Sequence, residues 1–79
     1  MSKYDPLKRH LAGSSRPIIE MTFDEIASLV GGLPRSAFEY QAWWENDEGR
    51  HVQAHAWLNA GYQTGSVDLL HQRVTFRKN

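Results

Sequence analysis

Two histidines four residues apart, His51 and His55, are the first pair in this chain whose spacing could do chemistry. On one helix that spacing sets both imidazoles on the same face, where they could share a metal ion. The residues between them are Val52-Gln53-Ala54, so the glutamate of an H-E-x-x-H zinc site is missing. A third ligand would have to come from Asp47, Glu48 or somewhere distant. Two exposed histidines near a helix start is the plainer reading, and no metal is assigned to them.

A larger set is polar and partly cationic. Arg35, Ser36, Tyr40, Gln41, Asn46, Arg50, His51, Gln53 and His55 fall in one stretch of the chain. Arg, Ser and Tyr suit phosphates, whereas Asn, Gln and Arg suit base edges. The plainer alternative is a solvated helix face with a loop. Arg73, at the tip of a C-terminal hairpin, could add a wing contact with Arg77-Lys78 behind it, or could protect a strand edge. Trp43 and Trp44 are adjacent, and neighbours rarely face the same way. Trp43 is expected to anchor the core. Trp44 is then expected nearer the surface, where it could stack on a base, pack on a sugar or anchor a protein interface.

No nucleophile, base and orienting group come together. Ser36 has no evident base, Asp68 sits in a hairpin, and Glu45, Asp47 and Glu48 read as a solvated charge run. Gly31-Gly32 lacks the Lys-Ser/Thr of a phosphate loop. Neither catalytic residues nor a cofactor is expected. A binding module is favoured over an enzyme.

These residues need elements to position them. Asp5-Pro6 opens a helix near residues 5–12, with Leu7 and Leu11 on one face and Gly13 as the stop. Ile18–Met21 reads as a short strand. Thr22 and Glu25 form a capping box before a helix over Phe23–Val30, stopped by Gly31-Gly32. Ser36 could cap a short turn over residues 36–41. Glu45 to Arg50 is a loop. The last helix is expected from Arg50 or His51 to Ala60, with Val52, Ala56 and Trp57-Leu58 on its apolar side and Gly61 as its stop. Two strands close the chain, about Tyr62–Asp68 and Arg73–Lys78, with Val67, Leu69, Val74 and Phe76 facing inward. A bare hairpin is marginal, so it should recruit Ile18–Met21 as a third strand.

The order α-β-α-(α)-α-β-β implies an α+β domain with a small three-stranded antiparallel sheet, a modified winged helix. The modification is the long segment between the second and last helices, where a standard helix-turn-helix has a tight turn.

Composition bounds the rest. Seventy-nine residues make one domain with a thin core, so its three Trp, three Tyr and three Phe must supply much of it. No cysteine is present, so disulfides and thiolate metal sites are excluded. Nine basic and nine acidic side chains cancel, which gives no general attraction to nucleic acid. No leader-like apolar run and no membrane-spanning stretch is seen, which suits a cytoplasmic protein.

Several short patterns combine across nearly the whole chain. They are Tyr4-Asp5-Pro6-Leu7, Thr22-Phe23-x-Glu25-Ile26, Leu33-Pro34-x-Ser36-Ala37 and Ala42-Trp43-Trp44-x-Asn46. Gln53-Ala54-x-Ala56-Trp57-Leu58-x-Ala60-Gly61-Tyr62, Val67-Asp68-Leu69 and Val74-x-Phe76 follow. Together they resemble a widespread small bacterial and phage domain of uncharacterised function. The resemblance implies a soluble intracellular module and carries over no activity. The chain departs from that pattern in its acidic Asp47-Glu48 and in Phe38-Glu39, where basic residues are expected.

The first functional expectation is a nucleic-acid-binding, in particular DNA-binding, module using the last helix, the Arg35–Asn46 segment and the hairpin wing. The alternative is a protein-interaction or inhibitor module, such as a phage protein acting on a host factor. A coherent positive face around Arg35, Arg50 and Arg73 would favour nucleic acid. Scattered charge would favour a protein.

Overall fold

The computed structural model describes residues 2–79. The elements are α1 (Asp5–Ala12), β1 (Ile18–Thr22), α2 (Phe23–Val30), α3 (Arg35–Glu39), a 3-10 turn (Gln41–Trp44), α4 (Ala54–Leu58), β2 (Tyr62–Asp68) and β3 (Arg73–Lys78). The fold is α+β, and the element order and small antiparallel sheet are those expected from the sequence. Strand order is β1-β3-β2, with both pairings antiparallel. The C-terminal hairpin does recruit the early strand. Because β1 joins on the β3 side, β1 and β2 are the two edges.

Local chemistry explains most boundaries. Thr22 accepts from the Glu25 amide at 3.1 Å, and Glu25 accepts from the Thr22 amide at 2.9 Å, closing the expected capping box. Gly31 ends α2 in the left-handed region, φ 78°, where a side chain would be strained. Leu7 and Leu11 are buried on α1.

Three starts and ends differ from expectation. Asp5 is the first helical residue rather than the cap, because its carboxylate accepts from the Ser2 amide at 3.1 Å while Tyr4 holds the cap position. Ser36 lies inside α3 with no side-chain capping bond, behind Pro34.

The last helix is much shorter than expected. Asp47 folds the preceding residues into a turn of their own. Its Oδ1 accepts from the amides of Gly49 and Arg50, and its carbonyl accepts from His51 at 2.8 Å. Helix begins only at Ala54, so Val52 is left exposed rather than on the apolar side.

The core is an aromatic file between the helices and the inner sheet face. Phe38 meets Phe23 edge-on at 5.5 Å. Phe23 stacks on Trp44 at 4.8 Å, Trp44 on Trp57 at 6.0 Å, and Trp57 leans on Phe76 at 5.7 Å. From the sheet come Ile19, Met21, Tyr62, Val74 and Phe76. Val67 and Leu69 pack against this core only partly buried. The cause lies in β2, where a register irregularity between Thr64 and Val67 sets Gly65 and Ser66 against the single residue Thr75.

Candidate functional site

The two tryptophans are reversed from expectation. Trp44 is 1% exposed, and its Nε1 donates to the Ala37 carbonyl at 2.9 Å. The 3-10 turn rotates Trp44 inward between Phe23 and Trp57, so its ring cannot meet a ligand. Trp43 is the half-buried partner. It lies edge-on to Tyr4 at 5.9 Å and to Trp44 at 4.7 Å.

Asn46 and Gln53, expected to read base edges, bond within the chain. Asn46 Oδ1 accepts from Trp57 Nε1 and from the Thr64 amide, both at 2.9 Å. Its Nδ2 donates to the Thr64 carbonyl at 3.2 Å. The Thr64 hydroxyl has one proton and gives it to the Trp44 carbonyl at 2.7 Å. Gln53 is buried and donates to the Trp43 carbonyl at 2.7 Å. Gln41 donates to the Val67 carbonyl at 3.2 Å. Gln41 and Asn46 together cover the outer edge of β2. These are fold-holding bonds; Trp44 and Gln53 are buried with them, whereas Asn46 stays exposed at the edge of β2.

Two of the charged members are paired locally with acids. Arg35 is tied to Glu39 one turn on, at 2.6 Å. Arg73 lies 3.6 Å from Glu20. Arg50 sits in the loop beside Asp47 and Glu48. His55 lies on α4 with Nδ1 3.5 Å from Glu48, whereas His51 precedes the helix. The two imidazoles therefore do not share a helical face. Among the described residues no cluster of three or more His, Cys, Asp and Glu side chains forms. Ser36 is half-buried within α3.

Two surface features group residues that the sequence did not bring together. The first is aromatic. Tyr40 is 60% exposed and Val52 67% exposed, and hydrogen bonds bring their segments to Trp43. Trp43 N–H donates to the Tyr40 carbonyl at 3.2 Å, and Gln53, next to Val52, donates to the Trp43 carbonyl. Tyr4 completes the group, and burial raises its phenol above the ordinary value. Without the turn at Asp47, Val52 reads as the inner face of a helix, so spacing alone misleads.

The second feature is cationic. Lys78 N–H donates to the Pro17 carbonyl at 2.8 Å, and Arg77 stands opposite Ile18. Tyr62, buried, donates its hydroxyl to the Arg16 carbonyl at 2.7 Å while Lys78 Nζ lies 5.9 Å from its ring centre. Arg16, Arg77 and Lys78 are thus gathered at one end of the sheet. Among the described residues none of them has a carboxylate within 4.0 Å. The Arg77 stem crosses Gly65, where a Cβ would stand 2.8 Å from Arg77 Cδ.

At the hairpin tip, His71 Nδ1 lies 2.8 Å from Asp68 Oδ2, and the His71 amide donates to Asp68 Oδ1 at 3.0 Å. These bonds hold the Asp68 carboxyl below its usual value. The pair shapes a turn in which Gln72 takes φ 56°. No helix among the described residues is long and apolar enough to cross a membrane.

Compared with family models, residues 4–79 match a domain of unknown function, DUF7662, and the chain belongs to that family. No curated protein and no solved structure matches. Within the chain, Trp44, Asn46, Gln53 and Trp57, which carry much of the resemblance seen in the sequence, are the residues that hold the fold.

Proposed function

We propose that this domain is a non-enzymatic, cytoplasmic protein-interaction module. Its contact surface is the aromatic group Tyr4, Tyr40, Trp43 and Val52. The observation that carries this is the exposure of Tyr40 and Val52 on segments bonded to the backbone of a half-buried Trp43. Tyr and Trp are enriched at interface centres because they bury large area at small entropy cost. The local pairing of Arg35 with Glu39 and of Arg73 with Glu20 points the same way, since each of these cations has an acid beside it. A phage protein occupying a bacterial host factor is the concrete form of this reading.

Affinity capture from a bacterial host lysate tests it, with wild type beside Trp43→Ala and Val52→Asp. The expected result is one stoichiometric partner lost in both variants while far-ultraviolet circular dichroism stays unchanged. Retention of the partner by folded Val52→Asp overturns this choice of surface.

A second reading, nucleic-acid binding, is favoured by Arg16, Arg77 and Lys78 alone. Three phosphate contacts would give log affinity a slope of about −2.7 against log salt on duplex DNA. Binding that is flat with salt, or absent at low salt, removes this reading. Of the surface expected from the last helix, Gln53 is buried and bonded to the Trp43 carbonyl.

A further inference from the structure

The two sheet edges are finished differently. Gln41 and Asn46 cover β2. Along β1, Phe23 N–H donates to the Gln72 carbonyl and Lys78 N–H donates to the Pro17 carbonyl. Odd-numbered residues of this strand therefore aim their backbone groups at β3. The two-residue period turns those of Ile18, Glu20 and Thr22 outward. The Thr22 amide is taken by Glu25. The N–H and C=O groups of Ile18 and Glu20 remain, on a strand whose Ile18 is 49% exposed.

We infer that this edge pairs with the same edge of a second copy, antiparallel and centred on Ile19. In that register Ile18 faces the partner's Glu20, and Glu20 faces the partner's Ile18. Every open N–H and C=O of both copies is then used, and no occupied group is needed. Neighbouring registers fail this requirement. Centring on Glu20 calls on the occupied Thr22 amide and sets two Glu20 carboxylates opposite each other. Centring on Ile18 calls on Arg16, whose N–H already donates to Ser14 Oγ at 3.1 Å and whose carbonyl accepts from Tyr62.

In the Ile19 register Glu20 is diagonal to the partner's Arg16 as well as to the partner's Glu20, so each carboxylate has a cation within reach of a long side chain and the two carboxylates are no longer directly opposite. On the inner face Ile19 meets the partner's Ile19 across the two-fold axis, extending the core side of the sheet. The product is a continuous six-stranded sheet with an isologous interface. The paired segment is short, so the association is weak. It lies apart from the Tyr40–Val52 surface and does not depend on it.

Sedimentation velocity up to about 1 mM protein tests the inference, that concentration marking the weak end of specific affinity. A concentration-dependent monomer–dimer equilibrium is expected. Glu20→Pro removes only an outward N–H, which an edge strand tolerates, and should weaken dimerisation about tenfold or more. A second measurement keeps the result decisive should that variant misfold. In wild type, dilution should shift the amide resonances of Ile18 and Glu20 and speed their hydrogen exchange. The inference is overturned by a monomer at the highest concentration. It is also overturned by undiminished association of folded Glu20→Pro, or by dilution shifts confined to residues outside β1.

Discussion

The two faces of the Trp43-Trp44 pair form the sharpest contrast in this molecule. On one side Trp44, Asn46, Gln53 and Trp57 are tied to each other, to Thr64 and to backbone carbonyls. On the other, Tyr4, Tyr40, Trp43 and Val52 gather with few polar bonds and much exposure. Trp44, Asn46 and Gln53 look like a recognition set in the sequence and, with Trp57, are structural. The second has no motif and is what a partner can touch. In a thin core, amides and indoles serve as struts because an unpaired buried polar group costs more than a made bond returns.

The largest effect should come from the strut side. Trp57→Ala is expected to lose about 3–5 kcal/mol, enough to unfold so small a domain. Chemical denaturation checks this, and a cooperative transition near that of wild type would break the contrast. Asn46→Ala should cost about 1–3 kcal/mol, because it leaves the Trp57 indole N–H and the Thr64 backbone without partners. A neutral result would return Asn46 to the recognition surface.

On the open side Val52→Asp should change stability by less than about 0.5 kcal/mol, as exposed substitutions do. If its denaturation midpoint falls as far as that of Asn46→Ala, the patch is core and the comparison fails. The smallest effect is one of pH. Backbone and hydroxyl bonds from Thr22 hold the Glu25 carboxyl below its ordinary value. A depressed carboxylate stabilises the fold above its unfolded pKa and loses that contribution as pH falls through the folded one. Melting temperature should therefore drop on acidification less steeply in Glu25→Gln than in wild type. Asp68 acts with the same sign through His71.

Much of the fold is readable from local signals. The Thr22–Glu25 box, the Gly31 stop and the alternating hairpin each involve contacts within a few residues. The candidate site is not, because its decisive bonds span long separations. Asn46 reaches Thr64 and Trp57, and Tyr62 reaches Arg16. Spacing can propose that Asn46 and Gln53 face a ligand. It cannot show that a carbonyl elsewhere already holds them.

By itself, then, the sequence determined the class, the element order and the recruitment of β1 by the hairpin, since these follow from capping, turn chemistry and a period of two. Only the tertiary structure decided which tryptophan is buried, where α4 begins and which sheet edge stays open. Those depend on a 3-10 turn, an Asp47 turn and side chains crossing to a distant strand, none of which leaves a periodic trace in the chain.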